Sequence, residues 1–261
     1  MLDQGTATVA DDAVRDNVTG LDWQRAPTAS PTPFTDAQRY CGELKLGGFD
    51  DWRVPSLVEL TSIWDPRGSM HAVPSYVLEP AAGTFTWTST LAPGSSRPEL
   101  YALSETKYRK WSINLSATQG SGVARCVRTF RSPPAPAATR YDVSTSGVAR
   151  DTRTGLVWQR QIVRTGDIQT QAVSYCAQLV LAGFSDWRLP TIKELASLHD
   201  STMLPTIDNT ALPAPDTAYE FWSSSPCMAT DCEGYGWVWN MSGGGPLDGL
   251  LLARAAVRCV R

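Results

Sequence analysis

The chain has 261 residues, of which 42% are hydrophobic and 19% charged, and its formal net charge at pH 7 is -3. This composition is ordinary for globular domains and excludes extensive disorder, and no apolar run reaches the roughly 20 residues that a membrane-spanning helix needs. The lack of such a run predicts that the chain does not insert into a membrane. Because the net charge is acidic and Lys107-Tyr-Arg-Lys110 is the one dense basic cluster, we exclude nucleic acid as a partner.

Much of the sequence occurs twice, with an offset of 135 residues (176 minus 41). The segment 16–25 returns at 151–160, and Cys41 returns as Cys176. This period is far above the roughly 20 to 50 residues of solenoid repeats, so each copy should have a hydrophobic core of its own. We therefore predict a tandem pair of similar domains.

The two copies are separated by a segment rich in proline and alanine, residues 131–140. Such a composition favours an extended, semi-rigid linker. The predicted domains are therefore residues 1–130 and residues 141–261. The start of the chain, Met1 to Thr6, has neither the charged beginning nor the apolar stretch of a secretion signal, and we interpret it as a trimmed or mature form with an added methionine.

Each copy opens with the segment Gly-Leu-x-Trp-Gln-Arg, whose alternation of apolar and polar residues predicts a strand. A helix is predicted next, over residues 36–46 in the first copy and 169–181 in the second, because Tyr, Cys and Leu recur at helical spacing. The cysteine of each helix should face the core. Gly48 and Gly183 are expected to end these helices as C-cap glycines.

The motif Asp-Trp-Arg-x-Pro-Ser/Thr-x-x-Glu follows in both copies. Its Ser or Thr, with the Glu three residues later, predicts a capping box at the start of a second helix. The Asp and Arg beside each Trp are expected to join a buried ion network; catalysis is the alternative reading, and we favour a structural role. The residues of this predicted structural motif are Asp51, Trp52, Arg53, Glu59, Asp186, Trp187, Arg188 and Glu194.

The last part of each copy predicts strands and long loops. Alternation predicts that Trp237 and Trp239 face inward and that Val238 faces the other way. Trp111 and Ile113 are the expected first-copy equivalents of the two tryptophans. The glycine-rich stretch after this strand, residues 243–250, is predicted to be an exposed loop that can vary without damage to the core.

Six cysteines can pair in many ways, but the duplication makes Cys41 equivalent to Cys176 and Cys126 equivalent to Cys259. A metal site is the alternative to disulfides, although the two histidines are not equivalent and no Cys-x-x-Cys pair occurs. Disulfides imply an oxidising compartment. The pairing that respects the duplication is Cys41 with Cys126, Cys176 with Cys259, and Cys227 with Cys232.

These repeated segments, ending in Arg-Cys-Val-Arg, resemble the Legionella collagen-like adhesin C-terminal domain family over residues 12–129 and 147–261. The resemblance implies an α+β fold similar to C-type lectins, with two helices and a mostly antiparallel sheet in each domain. It also implies a secreted, periplasmic or cell-surface bacterial protein. In adhesin members it implies binding of host glycans, sulfated glycosaminoglycans among them, whereas the acidic balance of this chain argues against a polyanion.

The leading hypothesis is a non-catalytic, adhesin-like module that binds a glycan or a protein ligand through its C-terminal loops. One alternative is a structural or assembly module of a bacterial envelope or secreted complex, for which a homo-oligomer is expected. A third is an oxidase similar to formylglycine-generating enzymes, which the commitment of the cysteines to disulfides disfavours. The candidate ligand-binding residues are Lys107, Asn114, Ser116, Gln119, Tyr235, Asn240, Ser242 and Asp248.

No catalytic residue and no cofactor is predicted. Ser223 to Ser225 include possible nucleophiles, but no histidine has an equivalent in the other copy and no Gly-x-Ser-x-Gly segment occurs. A structural calcium ion is an open alternative, although no loop has a diagnostic spacing. The candidate oxygen donors for calcium are Asp200, Asp208 and Asn209, or Asp231 and Glu233.

Overall fold

The structure, a computed structural model, describes residues 12–65, 85–92, 99–104, 112–116, 120–131, 139–163, 166–214, 220–226, 234–243, 245–250 and 253–261. The chain divides into two compact units, Met1–Pro133 and Pro134–Arg261. This boundary falls within the predicted linker. Among the described residues, no helix is long and apolar enough to cross a membrane.

The described residues of the first unit form two helices and two small antiparallel sheets, each of three strands. The helices are α1 (Phe34–Glu43) and α2 (Leu57–Ile63). The sheet that joins the two ends of the unit has the order β1 (Ala13–Asp16), β2 (Leu21–Gln24), β6 (Val127–Thr129). The other sheet has the order β3 (Phe85–Leu91), β4 (Glu99–Ser104), β5 (Ser112–Ser116).

The described residues of the second unit also form two helices and two three-stranded antiparallel sheets, which confirms the predicted α+β class and the antiparallel pairing, whereas a single sheet was predicted for each domain. Its helices are α3 (Gln169–Gln178) and α4 (Ile192–Ser197). One sheet has the order β7 (Tyr141–Asp142), β8 (Val148–Asp151), β9 (Val157–Gln159), and the other has the order β10 (Glu220–Pro226), β11 (Tyr235–Asn240), β12 (Gly245–Leu250).

A disulfide lies at the centre of each core. Cys41 on α1 bonds Cys126, and Cys176 on α3 bonds Cys259, and all four residues are fully buried. Trp52 and Trp187 pack in the same clusters as these disulfides. Both predicted pairings are therefore confirmed, whereas the predicted Cys227–Cys232 bond lies outside the described residues.

The expected C-cap glycines were wrong. Helix α1 ends at Glu43 and α3 ends at Gln178, several residues before Gly48 and Gly183. Each glycine instead lies in a two-residue turn, between the paired residues Leu46 and Phe49 or Leu181 and Phe184. Both central residues of these turns have positive φ, 64° at Gly47 and 81° at Gly48, as a tight hairpin turn of the primed type requires.

The predicted equivalence of Trp237 and Trp239 with Trp111 and Ile113 was also wrong. Phe85 pairs with Ser104 in the first unit, and the equivalent Glu220 pairs with Asn240 in the second. Strand β4 is therefore the counterpart of β11, so that Tyr101 corresponds to Trp237. The predicted loop 243–250 is largely strand β12, which pairs with β11 along its whole length.

Strand β11 is buried on both faces, so Val238, which was predicted to face away from the two tryptophans, is in the core as well. Val238 lies in the disulfide cluster with Trp222, whereas Trp239 on the opposite face contacts the ring of His199. Helix α4 packs against all three strands of this sheet. Trp237 and Trp239 are only 1% and 0% exposed, so their predicted placement in the core is confirmed.

Candidate functional site

The repeated segments meet in a hydrogen-bonded network around each disulfide. In the first unit the Gln24 amide donates to the hydroxyl of Tyr40 at 2.7 Å and accepts from the backbone N–H of Cys126 at 3.1 Å. In the second unit Gln159 makes the same two bonds, to Tyr175 at 2.7 Å and from Cys259 at 3.3 Å. In each unit these bonds hold together the three repeated segments that contain the Gln, the Tyr and the C-terminal Cys.

Two equivalent segments, residues 87–90 (Trp-Thr-Ser-Thr) and 222–225 (Trp-Ser-Ser-Ser), hold the start of the second helix in each unit. The hydroxyl of Thr90 accepts from the backbone N–H of Leu57 at 2.8 Å, and Ser225 accepts from Ile192 at 2.9 Å. Capping boxes are present at Ser56 and Thr191, as predicted. Because Ser223 is fully buried and the Ser225 hydroxyl serves the helix, these serines support a structural role over a nucleophilic one.

A buried arginine anchors the long segment after α4. The guanidinium of Arg258 is 1% exposed and donates to four backbone carbonyls within 3.1 Å, those of Gln159, Arg160, Leu212 and Pro213. Burial lowers the pKa of Arg258 to about 9. In the first unit Arg125, also buried, donates to the carbonyls of Gln24 and Arg25. The first arginine of the terminal Arg-Cys-Val-Arg motif is therefore a scaffold residue in both units.

The Asp and Arg of each Asp-Trp-Arg motif form ion pairs with different partners. The predicted buried network was wrong for Arg53, Asp186 and Arg188, which pair near solvent, whereas Asp51 does pair with a buried arginine. Arg188 makes two hydrogen bonds to Glu194, at 2.5 and 2.8 Å, and its side chain is 48% exposed. Asp186 pairs with Arg261 at 2.7 Å and is 65% exposed. The first unit repeats both pairs, Arg53 with Glu59 and Asp51 with Arg128.

Glu194 therefore serves both the capping box and the ion pair. Burial opposes its ionisation, but hydrogen bonds from Arg188 and from the backbone of Thr191 lower its pKa below the ordinary value of 4.5 on balance. A depressed pKa in the folded state means that the charged form stabilises the fold above the ordinary pKa, and that this contribution is lost as the pH falls.

We expect Glu194→Gln to lower the free energy of unfolding by about 1 kcal/mol at pH 7, because a partly exposed pair and a helix cap both weaken. The difference from wild type should shrink as the pH falls below 4.5, since the wild-type carboxylate is then protonated too. Urea unfolding at several pH values measures it. A deficit of the same size at the lowest pH would contradict this assignment.

One ion cluster distinguishes the two units. Asp22 is fully buried and accepts hydrogen bonds from Arg15 at 2.8 Å and from Arg128 at 2.6 Å. Its equivalent in the second unit is the apolar Val157 (157 minus 22 is 135). Arg128 also stacks on the ring of Phe49, 3.6 Å from its centroid. The second unit keeps the stacking pair, Arg261 on Phe184, without the buried acid.

The predicted ligand residues are distributed over strands and one turn. Asn114 pairs with Tyr101 in β5–β4, and Asp248 pairs with Trp237 in β12–β11, so the two occupy equivalent backbone positions inside strands. Ser116 also lies within β5, and Tyr235 is the first residue of β11. These four residues therefore lie in strands, whereas the prediction placed them in loops. Lys107 and Gln119 lie outside the described residues.

Asn240 and Ser242 do lie together, at the turn between β11 and β12. The side-chain oxygen of Asn240 accepts from the backbone N–H of Ser242 at 2.8 Å and from its hydroxyl at 2.6 Å. The Asn240 amide also donates to Glu220 at 3.3 Å. This pattern is an Asx turn, in which the side chain of Asn240 shapes the backbone.

The segment after α4 packs beside this turn. The N–H and hydroxyl of Thr206 both donate to the carbonyl of Met241, at 2.7 and 2.9 Å. Asp200 closes the segment on itself by accepting from the N–H and hydroxyl of Thr202. Met203 and Leu204 remain 39% and 59% exposed. We call residues 200–206 and 241–243 the tip of the second unit; the sequence offered no signal that these two segments meet.

The described parts of the chain contain no group of three or more His, Cys, Asp or Glu residues that could hold a metal ion. The carboxylates of Asp200 and Asp208 accept backbone N–H groups of their own turns, as does the side-chain oxygen of Asn209. Asp231 and Glu233, the other calcium candidates, lie outside the described residues. His199 is buried, and burial lowers its pKa to about 4, so the imidazole is neutral at pH 7.

A family model described as the Lcl C-terminal domain matches residues 12–128 and 147–261. The two matches coincide with the two structural units and include the disulfides, the capping boxes and both terminal Arg-Cys-Val-Arg segments. No curated protein matches the chain.

Proposed function

Because the chain belongs to the Lcl C-terminal domain family through both of its units, we propose that it is a non-catalytic binding module of a secreted or cell-surface bacterial protein, similar to an adhesin. The two helices, the small antiparallel sheets and the paired ends of each unit support the C-type-lectin-like fold that the family resemblance implies. The buried disulfides support an oxidising location, outside the cytoplasm.

The observation that carries the proposal is the division between scaffold and tip. The repeated segments form the disulfide network and the helix caps and supply a buried arginine in both units. The connections at the ends of the sheets differ: residues 105–111 separate β4 from β5, whereas residues 241–244 separate β11 from β12. Variable connections on a rigid scaffold are where binding specificity is usually located.

We propose that ligand contacts in the second unit come from its tip. Its backbone is held by Thr206 and Asn240, so little conformational entropy is lost when a ligand binds. Met203 and Leu204 offer exposed apolar surface in one segment of the tip, and Ser242 in the other segment is also exposed. Such a mixture suits a protein surface or the apolar face of a sugar.

Binding of the full chain to a glycan array and to an array of extracellular-matrix proteins tests this proposal. We expect at least one ligand, on either array, that Leu204→Asp binds about tenfold more weakly, because the variant places a charge on the exposed apolar surface. Val143→Asp is the matched control, because Val143 is also an exposed aliphatic residue of the second unit, but it follows β7 in the other sheet and is far from the tip in sequence.

Absence of binding on both arrays, or an unchanged affinity of Leu204→Asp for every ligand that the wild type binds, would contradict the proposal. Light scattering of the same samples addresses the assembly alternative. A monomer at every concentration argues against self-assembly, whereas a concentration-dependent oligomer that Leu204→Asp disrupts would reassign the tip to assembly.

A further inference from the structure

The outer face of α3 carries a groove of about 500 Å³. This volume lies within the range of about 300 to 1,000 Å³ that is typical of small-molecule sites. The groove lies on the opposite side of the helix from Ala172 and Cys176, which are buried in the core. Its lining residues are Thr170, Gln171, Ser174, Tyr175, Gln178, Leu179 and Val180.

No lining residue is charged, and none of the residues from Gln169 to Phe184 is charged either. This is unusual for an exposed helix, whose solvent face ordinarily carries charged side chains. Val180 is 73% exposed and Val173 is 44% exposed. Depletion of charge on an accessible surface is a mark of binding surfaces rather than of solvated ones.

The first unit shows that the fold does not require this absence of charge. Helix α1 occupies the same place, carries the equivalent cysteine and makes the same disulfide. At the positions of Gln171, Ser174, Gln178 and Val180 it has Asp36, Arg39, Glu43 and Lys45 (each 135 residues earlier). Asp36 and Arg39 form an exposed ion pair there. The second unit has thus exchanged four charges for uncharged residues on an otherwise equivalent helix.

The groove offers the chemistry of a neutral saccharide site. Two glutamine amides and two hydroxyls can donate to sugar hydroxyls, and all of them except Gln171, whose oxygen accepts from the backbone N–H of Ile168, are available to accept as well. The ring of Tyr175 is fixed by the bond between its hydroxyl and Gln159, and together with Leu179 it provides a surface for the apolar face of a sugar ring. Because the groove has no Lys or Arg, a sulfated or sialylated glycan would find no counter-charge in it.

We propose that the α3 groove of the second unit is a binding site for a neutral oligosaccharide, separate from the tip. The helix is preorganised because Cys176 ties it to Cys259 and Tyr175 ties it to β9. The first unit, whose helix carries the four charges, does not bind this ligand class at the equivalent place.

The test is an array of neutral di- to tetrasaccharides of glucose, galactose, mannose and N-acetylglucosamine, with sulfated and sialylated glycans alongside, probed with the full chain. The variant Ser174→Arg/Gln178→Glu installs the first unit's charges in the groove. Its matched control is Arg39→Ser/Glu43→Gln, which removes those charges from α1. Thermal unfolding verifies that both variants remain folded.

We expect wild type, the α1 control and the tip variant Leu204→Asp to bind at least one neutral oligosaccharide with similar affinity, and the α3 variant to bind it about tenfold more weakly or not at all. No neutral oligosaccharide bound, binding restricted to charged glycans, or unchanged affinity of the α3 variant would each overturn the groove site. Loss of neutral binding in Leu204→Asp alone would also overturn it and would leave the tip proposal standing.

Discussion

Replacement of Cys176 and Cys259 by alanine is expected to lower the free energy of unfolding of the second unit by about 4 kcal/mol. The bond closes a long loop, since the two cysteines are 83 residues apart, and its loss frees the unfolded chain. Both residues are fully buried in the core, so the fold also loses packing around α3. Domains typically have a stability of about 5 to 15 kcal/mol, so at the low end of this range the loss would leave the unit close to unfolding.

Hydrogen–deuterium exchange, resolved by mass spectrometry for each unit, measures this change because protection reports local stability. Cys41→Ala/Cys126→Ala is the matched variant, since its bond spans 85 residues in the first unit. Each double variant should lose protection in its own unit and keep it in the other. A loss shared equally by both units would contradict the view that each has an independent core.

The second large effect is expected for Asp22→Asn. The carboxylate of Asp22 is fully buried between Arg15 and Arg128, so its neutralisation leaves arginine charge without its buried partner. Removal of one member of a buried ion cluster costs about 3 to 5 kcal/mol. We expect a loss near the lower bound, about 3 kcal/mol, because Arg128 keeps Asp51 and Arg15 is partly exposed.

Asp186→Asn is the control for this prediction. It also removes an acid that pairs with a terminal arginine, but Asp186 is 65% exposed, and surface pairs contribute about 0 to 1 kcal/mol. Urea unfolding of the full chain, with exchange to assign the affected unit, compares the two variants. An equal decrease in the free energy of unfolding for Asp22→Asn and Asp186→Asn would contradict the prediction, because burial of the Asp22 cluster would then make no additional contribution to stability.

The sequence was sufficient for features that are specified locally or by the duplication. The capping boxes at Ser56 and Thr191 depend on residues three apart, and the two described disulfides follow from the equivalence of the cysteines. The same holds for the buried tryptophans of β11. In each case the residue pattern alone is enough to predict the structural feature.

The sequence was insufficient where the two copies share no residues. Strands β4 and β11, with sequences ELYALS and YGWVWN, have nothing in common by which to align them. The equivalence of Tyr101 with Trp237 therefore required the strand register. Strand β12 was mistaken for a loop because its glycines and proline resemble turn residues, whereas its pairing with the buried β11 makes it a strand.

The candidate site shows the same limit. Asn240 and Ser242 were identified because they follow an aromatic strand, but Met203 and Leu204 join them only through the bond from Thr206 to Met241, 35 residues apart in sequence. Identification of the uncharged groove on α3 required the structure and the sequence of both units, because its lack of charge is significant only in comparison with the charged face of α1.

The ends of each unit lie side by side. Strand β2 pairs with β6 in the first unit, and Val157 exchanges two backbone hydrogen bonds with Arg261 in the second. A domain whose entry and exit are adjacent can be inserted into a surface turn of another protein without stretching that turn. Duplication of such a unit within one polypeptide requires only a short linker. The two copies can then diverge, so that one binding surface gives rise to two.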